Sequence, residues 1–334
     1  MRNTPLQGVL GSEIANGIFA ESVRYTNYYF HVVGSVGSGI QGRIAHRRSR
    51  SLRNLFDISS LLATEIAGPK AGNFRFICIF VHMIGMFDSG SGGLSVLREV
   101  VKLLPGERYV YYSDNAHCPY GEKTAAYIQD RAREITRLLM AKGCNLIVVA
   151  CNTATGAAIK QLREEFPIPF IGMEPAVKPA ALGTKSGVIG VLATAGTLRA
   201  SKYLDTKGRF QDDVTIVEHV GEGFVELVEN GILDGPEAEA VVERSLRPLL
   251  DAGADIIVLG CTHYPFLMEP IRRIAGPEVR IIDPAPAVAR QVVNVLEREG
   301  IPYQKDAGAL VRPDIELLSS GDPASLLRIF ALIS

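Results

Sequence analysis

The sequence predicts an α/β protein built from two pseudo-symmetric, doubly wound domains with mostly parallel sheets and an active site in the cleft between them. Three observations carry that expectation. From about residue 83 onward, short β-branched runs alternate with amphipathic stretches, the pattern of parallel-sheet folds. The runs repeat internally, and a cysteine closes the same run in each copy, Cys151 in the first and Cys261 in the second.

The strand candidates, in order, are Met83–Phe87, Arg108–Ser113, Asn145–Ala150, Pro169–Gly172, Gly187–Ala193, Val214–His219, Asp255–Gly260 and Val279–Asp283. The apolar run from Phe76 to Phe87 reads as the first strand with a lead-in, because it contains His82 and Gly85 and falls short of the roughly 20 residues that span a bilayer. Between strands, Glu122–Lys142 carries Ile128, Ala132, Ile135 and Leu139 at helical spacing and stops at Gly143. Pro286–Arg298 repeats the idea with Val288, Val292 and Val295, and stops at Gly300.

In the repeat, Ile84-Gly85-Met86-Phe87-Asp88-Ser89 matches Ile189-Gly190-Val191-Leu192-Ala193-Thr194. Further on, Ile147-Val148-Val149-Ala150-Cys151-Asn152-Thr153 matches Ile257-Val258-Leu259-Gly260-Cys261-Thr262-His263. The cysteine lies 66 residues after the glycine in one copy and 71 in the other, so duplicated half-domains are the simplest account. Chance matching of short apolar strands is the alternative.

Composition bounds the rest. A chain of 334 residues exceeds one typical domain of roughly 100–200 residues. Hydrophobic residues at 47% and charged residues at 21% fit a soluble globular protein and exclude a disordered one. A net charge of −1 gives no bulk attraction to nucleic acid. Five cysteines (Cys78, Cys118, Cys144, Cys151, Cys261) without CxxC spacing, and no signal peptide at the start, point to a reducing cytoplasm.

Residues 1–82 differ from the rest of the chain, holding nine Lys/Arg against four Asp/Glu where 83–334 hold 26 against 32. Gly34–Gly39 is linker-like and Arg43–Arg53 is rich in Arg and Ser. The readings are a targeting peptide, which Glu13 and Glu21 oppose, an added regulatory segment, or a poorly ordered extension, for which an over-long start to the reading frame is one origin. The last is favoured because Met83 directly precedes the first well-formed strand.

The chemistry lies at the strand ends. A cysteine at the carboxyl end of a parallel strand sits where such sheets bind ligands and where the next helix turns its N-terminus inward, a position expected to lower the thiol pKa. One such cysteine is ordinarily a small buried hydrophobe. Two at equivalent places in facing halves can approach one α-carbon from opposite sides, as stereoinversion requires: one removes a proton and the other returns one. The glycine-rich turn Asp88-Ser89-Gly90-Ser91-Gly92-Gly93 offers hydroxyls and backbone N–H groups to a carboxylate, or is purely conformational. Asn152-Thr153 and Thr262-His263 add polar groups beside each thiol, and Thr194 and Thr197 do so in the second half's first turn. His263 is placed to shuttle a proton for Cys261 and Asp88 to tune Cys151; a packed histidine and a capping aspartate are the plainer readings. Neither GxGxxG nor GxxxxGK[ST] occurs, and no pattern for pyridoxal phosphate or metal binding emerges.

In these residues the sequence resembles the glutamate racemase family. The matching blocks are FDSGSGG (87–93), Pro119-Tyr120-Gly121, ACNTAT (150–155), VLATAGT (191–197) and LGCTHYPFL (259–267), which cover nearly all of 83–334 in order. The resemblance implies a two-domain enzyme of the aspartate/glutamate racemase group that works without cofactor or metal. Cys151 and Cys261 match its two catalytic cysteines, the first handling the α-proton of D-glutamate and the second that of L-glutamate. Asp88-Ser89, Tyr120-Gly121, Asn152-Thr153 and Thr262-His263 match its substrate-binding pairs, and Glu229 an acidic residue near its active site. The family's chain path implies one domain from 83–178 with 284–334 and another from 179–283. His219–Gly223 stands where many relatives carry a Cys-Pro segment, and 1–82 has no counterpart. The expected partners are glutamate and a second copy of the chain in a homodimer, with no nucleic acid and no membrane, and the expected use of D-glutamate is peptidoglycan synthesis. The competing functions are aspartate racemase or a related racemase, a non-catalytic amino-acid-binding module, and a thiol redox protein.

Overall fold

The computed structural model describes residues 18–25, 28–35, 79–80, 83–303 and 313–333. It divides into two units, 1–81 and 82–334. In the first unit, β1 (Ile18–Tyr25) and β2 (Tyr28–Ser35) pair antiparallel, and β3 (Ile79–Phe80) joins β2 opposite His31 and Phe30. Both long strands are rich in the Val, Tyr and Phe that favour pleated backbone. They are additions to the expectation of a poorly ordered extension over 1–82, which otherwise falls outside the described residues.

The second unit is built on two all-parallel sheets. One holds β4 (Met83–Asp88), β5 (Arg108–Ser113), β6 (Leu146–Val149), β7 (Phe170–Gly172) and β12 (Asp314–Ser319) in the order β12-β5-β4-β6-β7. The other holds β8 (Val188–Ala193), β9 (Thr215–Val220), β10 (Ile256–Gly260) and β11 (Arg280–Ile282) in the order β11-β10-β8-β9. Apart from β12, the two orders coincide when the halves are aligned on the repeat. Register agrees: Gly85 of β4 pairs with Ile147 of β6, and Gly190 of β8 pairs with Ile257 of β10. Both glycines sit where that approach is tight. A Cβ on Gly85 would lie 3.2 Å from Ile147 Cγ1, and one on Gly190 would lie 3.3 Å from Ile257 Cγ1 and 3.0 Å from Leu249 Cδ1.

Parallel strands covered on both faces read as continuous apolar runs, and β4 and β6 are buried at every position. The helix Ala125–Ala141 buries Ile128, Ala132, Ile135 and Leu139 as its spacing predicts, and Gly143, at φ 100°, turns the chain out of it. Its start lies three residues later than expected, because Tyr120–Glu122 forms a 3-10 turn and the Thr124 hydroxyl caps the helix by accepting from Tyr127 N–H. The helix Ala285–Arg298 buries Val288, Val292 and Val295 and leads to Gly300 at φ 63°. It comes after the last strand of the second sheet yet packs on Leu94–Leu103, the helix after β4. Strand β12 was not anticipated; it pairs with β5 at the sheet edge.

One apolar cluster runs from Met86, Tyr111 and Val148 of the first half through Phe224 and Val225 to Leu259 and Tyr264 of the second, so the halves share a core. Phe224 and Tyr264 meet edge to face at 4.8 Å. Separate clusters cover the far face of each sheet. Among the described residues no helix is long and apolar enough to cross a membrane.

Candidate active site

In each half the strand order reverses between the two central strands, β4 and β6 or β8 and β10, and open α/β sheets bind ligands in the crevice beyond such a reversal. Asp88 and Ser89 come from the end of β4, Cys151, Asn152 and Thr153 from beyond β6, Thr194 from beyond β8, and Cys261, Thr262 and His263 from beyond β10. A narrow cleft lies between them. Ser89, Tyr120, Gly121, Cys151, Asn152, Thr153, Thr194, Cys261, Thr262 and His263 line it, and Pro119 and Val225 complete the wall. The remaining three residues singled out from the sequence stand behind that wall. Asp88 accepts from the Thr262 hydroxyl at 2.8 Å, Thr197 meets Thr194 at 3.0 Å between hydroxyls, and Glu229 meets His263 at 2.8 Å.

Cys151 occupies the N-cap of the helix Asn152–Glu165, where its sulfur accepts from Ala154 N–H at 3.4 Å and lies 3.8 Å from the Ser89 hydroxyl. The expectation of a lowered thiol pKa does not hold here. Burial pushes the thiol up, the Asp88 carboxylate adds to this, and the Ala154 N–H and Ser89 hydroxyl offset only part. Asp88 is itself raised by burial, against the opposing effects of His263, Gly90 N–H and Thr262.

Cys261 has a different setting. Its sulfur lies 3.7 Å from His263 Nδ1, while His263 Nε2 lies 2.8 Å from Glu229 Oε1. Burial works against a charged imidazole, but the hydrogen bonds to Cys261 and Glu229 outweigh it and hold His263 well above its ordinary value. Burial likewise works against ionised Glu229. The hydrogen bond and charge of His263, with Ser325 and Ser91, bring its carboxyl down to about 2.

The glycine-rich turn does two jobs that its sequence left open. Its Gly90 N–H donates to Asp88 at 2.8 Å and its Ser91 N–H to Glu229 at 2.6 Å, so these amides hold the protein's own carboxylates. Its glycines also make room for His263 and Glu229, since a Cβ on Gly92 would lie 2.3 Å from His263 Nδ1 and one on Gly90 2.3 Å from Glu229 Oε1. A donor for a ligand is present elsewhere: the Asn152 side-chain Nδ2 is buried at the cleft with no hydrogen-bond partner, which is costly unless a bound acceptor satisfies it. Across the mouth, Thr153 meets Thr194 and Thr197 at 3.0 and 3.3 Å, linking the halves.

Val225 and Ser325 were not among the expected site residues, and Ser91 was expected only as part of the glycine-rich turn. Val225 stands four residues before Glu229 on one helix face, a spacing that could have revealed it. The Ser91 and Ser325 hydroxyls both bond Glu229 Oε2, and Ser325 comes from the helix Ala324–Phe330, 96 residues further along the chain. No local pattern signals such a pairing.

Known proteins share this fold. A family model for the Asp/Glu/hydantoin racemases matches residues 84–292. The glutamate racemase of Methylococcus capsulatus is 48% identical over 245 residues, 73% of this chain and 89% of that protein. That of Pseudomonas aeruginosa is 48% identical over 219 residues, 65% of this chain and 83% of that protein. Among solved structures, glutamate racemase RacE1 of Bacillus anthracis superposes with a TM-score of 0.66 at 32% identity, covering 73% of this chain and 91% of its own. The Escherichia coli glutamate racemase, solved with L-glutamate and the activator UDP-MurNAc-Ala, gives 0.66 at 35% identity, covering 76% and 96%. The matched span opens in β4 and closes inside the helix that returns to the first sheet, taking in every strand of both sheets except β12 and both cleft thiols, and the chain belongs to the Asp/Glu/hydantoin racemase family.

Proposed function

We propose that the chain interconverts L- and D-glutamate, with Cys151 and Cys261 as the acid and base on opposite faces of the α-carbon. The observation that carries this reading is that two thiols at equivalent positions of the repeat line one cleft. In the L to D direction, Cys261 has passed its proton to His263, whose charged form Glu229 holds, and the resulting thiolate removes the α-proton. The electron pair left on the α-carbon is delocalised into the substrate carboxylate, for which Asn152 Nδ2 is an open donor. Cys151, kept as a neutral thiol by burial, then gives its proton to the far face. The product leaves with Cys151 as thiolate and Cys261 as thiol, and exchange with solvent restores the starting form. The D to L direction uses the same groups in exchanged roles.

In this reading Ser89, Tyr120, Gly121, Thr153, Thr194 and Thr262 hold the substrate, with Asp88, Thr197 and Glu229 positioning them from behind. Two domains, 83–178 with 284–334 and 179–283, close over it. The enzyme acts as a cytoplasmic homodimer without cofactor, and its D-glutamate supplies peptidoglycan synthesis, a use supported by the muramyl nucleotide that activates the E. coli relative. The test is a chiral assay of the purified protein with L-glutamate and L-aspartate separately. D-glutamate should form from the first; turnover of aspartate alone would overturn the reading.

A further inference from the structure

Cys118, Glu229 and His263 approach one another from three separate elements: the loop after β5, the helix Phe224–Asn230 and the loop after β10. One ligand atom from each lies within 4.8 Å of the other two. Gly90 leaves that space open, since a Cβ there would fall 3.1 Å from Cys118 Sγ and 2.3 Å from Glu229 Oε1. His263 is buried and the other two are half-buried. We propose that these three side chains form an inhibitory site for a thiophilic divalent cation, Zn²⁺.

The donor set is one sulfur, one imidazole nitrogen and one carboxylate oxygen, a combination suited to tetrahedral zinc with one position left for water. Zinc bonds of roughly 2.0–2.3 Å place neighbouring donors roughly 3.3–3.7 Å apart. The 2.8 Å between His263 Nε2 and Glu229 Oε1 must therefore widen slightly while the thiol moves in. The Ser91 and Ser325 hydroxyls on Glu229 Oε2 are in place as outer partners that orient the carboxylate. Inhibition depends on which nitrogen is used. A cation on Nε2, the nitrogen facing Glu229, takes the place of the 2.8 Å contact between His263 and Glu229 and engages the carboxylate that the proposed reaction needs behind the imidazole. Binding itself is independent of the proposed function; only the inhibition rests on that reading.

The experiment uses Co²⁺ as a spectroscopic probe and Zn²⁺ as inhibitor, on the full chain and two variants. Cys118→Ser removes the proposed sulfur ligand. The double variant Cys151→Ala/Cys261→Ala removes the cleft thiols instead. A thiolate-to-cobalt absorption band is expected in the parent and the double variant and should be lost in Cys118→Ser. Zinc should inhibit racemisation by the parent, with the inhibition constant raised at least about tenfold in Cys118→Ser, the low end of what even an outer-shell ligand partner is worth. A band lost in the double variant but retained in Cys118→Ser would assign the cation to the cleft thiols and overturn the proposal. So would the absence of any thiolate band in the parent, or equal zinc inhibition of parent and Cys118→Ser. A protein that binds cobalt through Cys118 yet turns over no glutamate would count against the proposed function and leave the cation site standing.

Discussion

Glu229→Gln separates charge from shape at the back of the relay. The carboxylate uses Oε1 for Ser91 N–H at 2.6 Å and His263 Nε2 at 2.8 Å, and Oε2 for the Ser91 and Ser325 hydroxyls. A glutamine with its oxygen at the Oε1 position keeps the first two bonds, and its amide can donate to either hydroxyl, so the fold should survive. What is lost is the charge facing the imidazolium. A hydrogen bond to a charged group contributes about 1.5–3 kcal/mol and a neutral one about 0.5–1.5, a difference of about 1–1.5 kcal/mol or about tenfold in rate. The variant should melt near the parent temperature and lose about tenfold in kcat/KM, measured by chiral chromatography of glutamate. The pH dependence has a definite sign. Glu229 helps to hold the His263 proton, so the variant's imidazolium titrates at lower pH. Its deficit should be smallest in acid and should grow as pH rises through the range where only the variant has lost that proton. Turnover within twofold of the parent at every pH would refute the relay.

Other perturbations test other links. Gly92→Ala puts a methyl 2.3 Å from His263 Nδ1 and should push the ring off Cys261, costing on the order of 10²-fold in kcat and about 1–3 kcal/mol of stability; an active, stable variant would show that the ring position does not matter. Asp255 accepts from Lys185 and Ser186 N–H at 2.6 and 3.0 Å; burial opposes its charge, but these bonds and the Thr184 hydroxyl bring it down to about 2. Because the folded value is depressed, its stabilisation is present above about pH 4, the unfolded range, and fades towards pH 2. Asp255→Asn should therefore unfold at lower urea concentration at pH 7, with the gap narrowing below pH 4; a gap independent of pH would remove the charge from the explanation. A chain beginning at Met83 should keep its turnover, because every residue proposed for the chemistry lies beyond that point. Collapse of kcat/KM in a well-folded shortened chain would mean that 1–82 reaches the site.

Much of the fold was legible because the repeat ties local pattern to register. Gly85 and Gly190 stood out as matched positions, and each proves to make room for the isoleucine on the neighbouring strand. Strand β12 escaped because it is an edge strand with no position fully buried, so no continuous apolar run marks it. Most cleft-facing residues were legible because they sit just beyond strand ends, whereas Tyr120 and Gly121, on a 3-10 turn, were found only through the family resemblance. The residues that support them were harder to find. Ser325 meets Glu229 across 96 residues, and the direction of the Cys151 shift depends on burial, which the helix N-terminus argument leaves out.

Hydrogen exchange during a single turnover tests the two-thiol mechanism most directly. In heavy water, the thiol that donates to the far face has already equilibrated with solvent, while the thiol that removed the α-proton carries hydrogen from the substrate. Early in the reaction from L-glutamate, mass spectra of the separated enantiomers should show D-glutamate with one α-deuterium and residual L-glutamate with almost none. From D-glutamate the labels should exchange places. Substantial undeuterated D product at early times would mean that one group removes and returns the same proton, and would contradict the assignment of Cys151 and Cys261 to opposite faces.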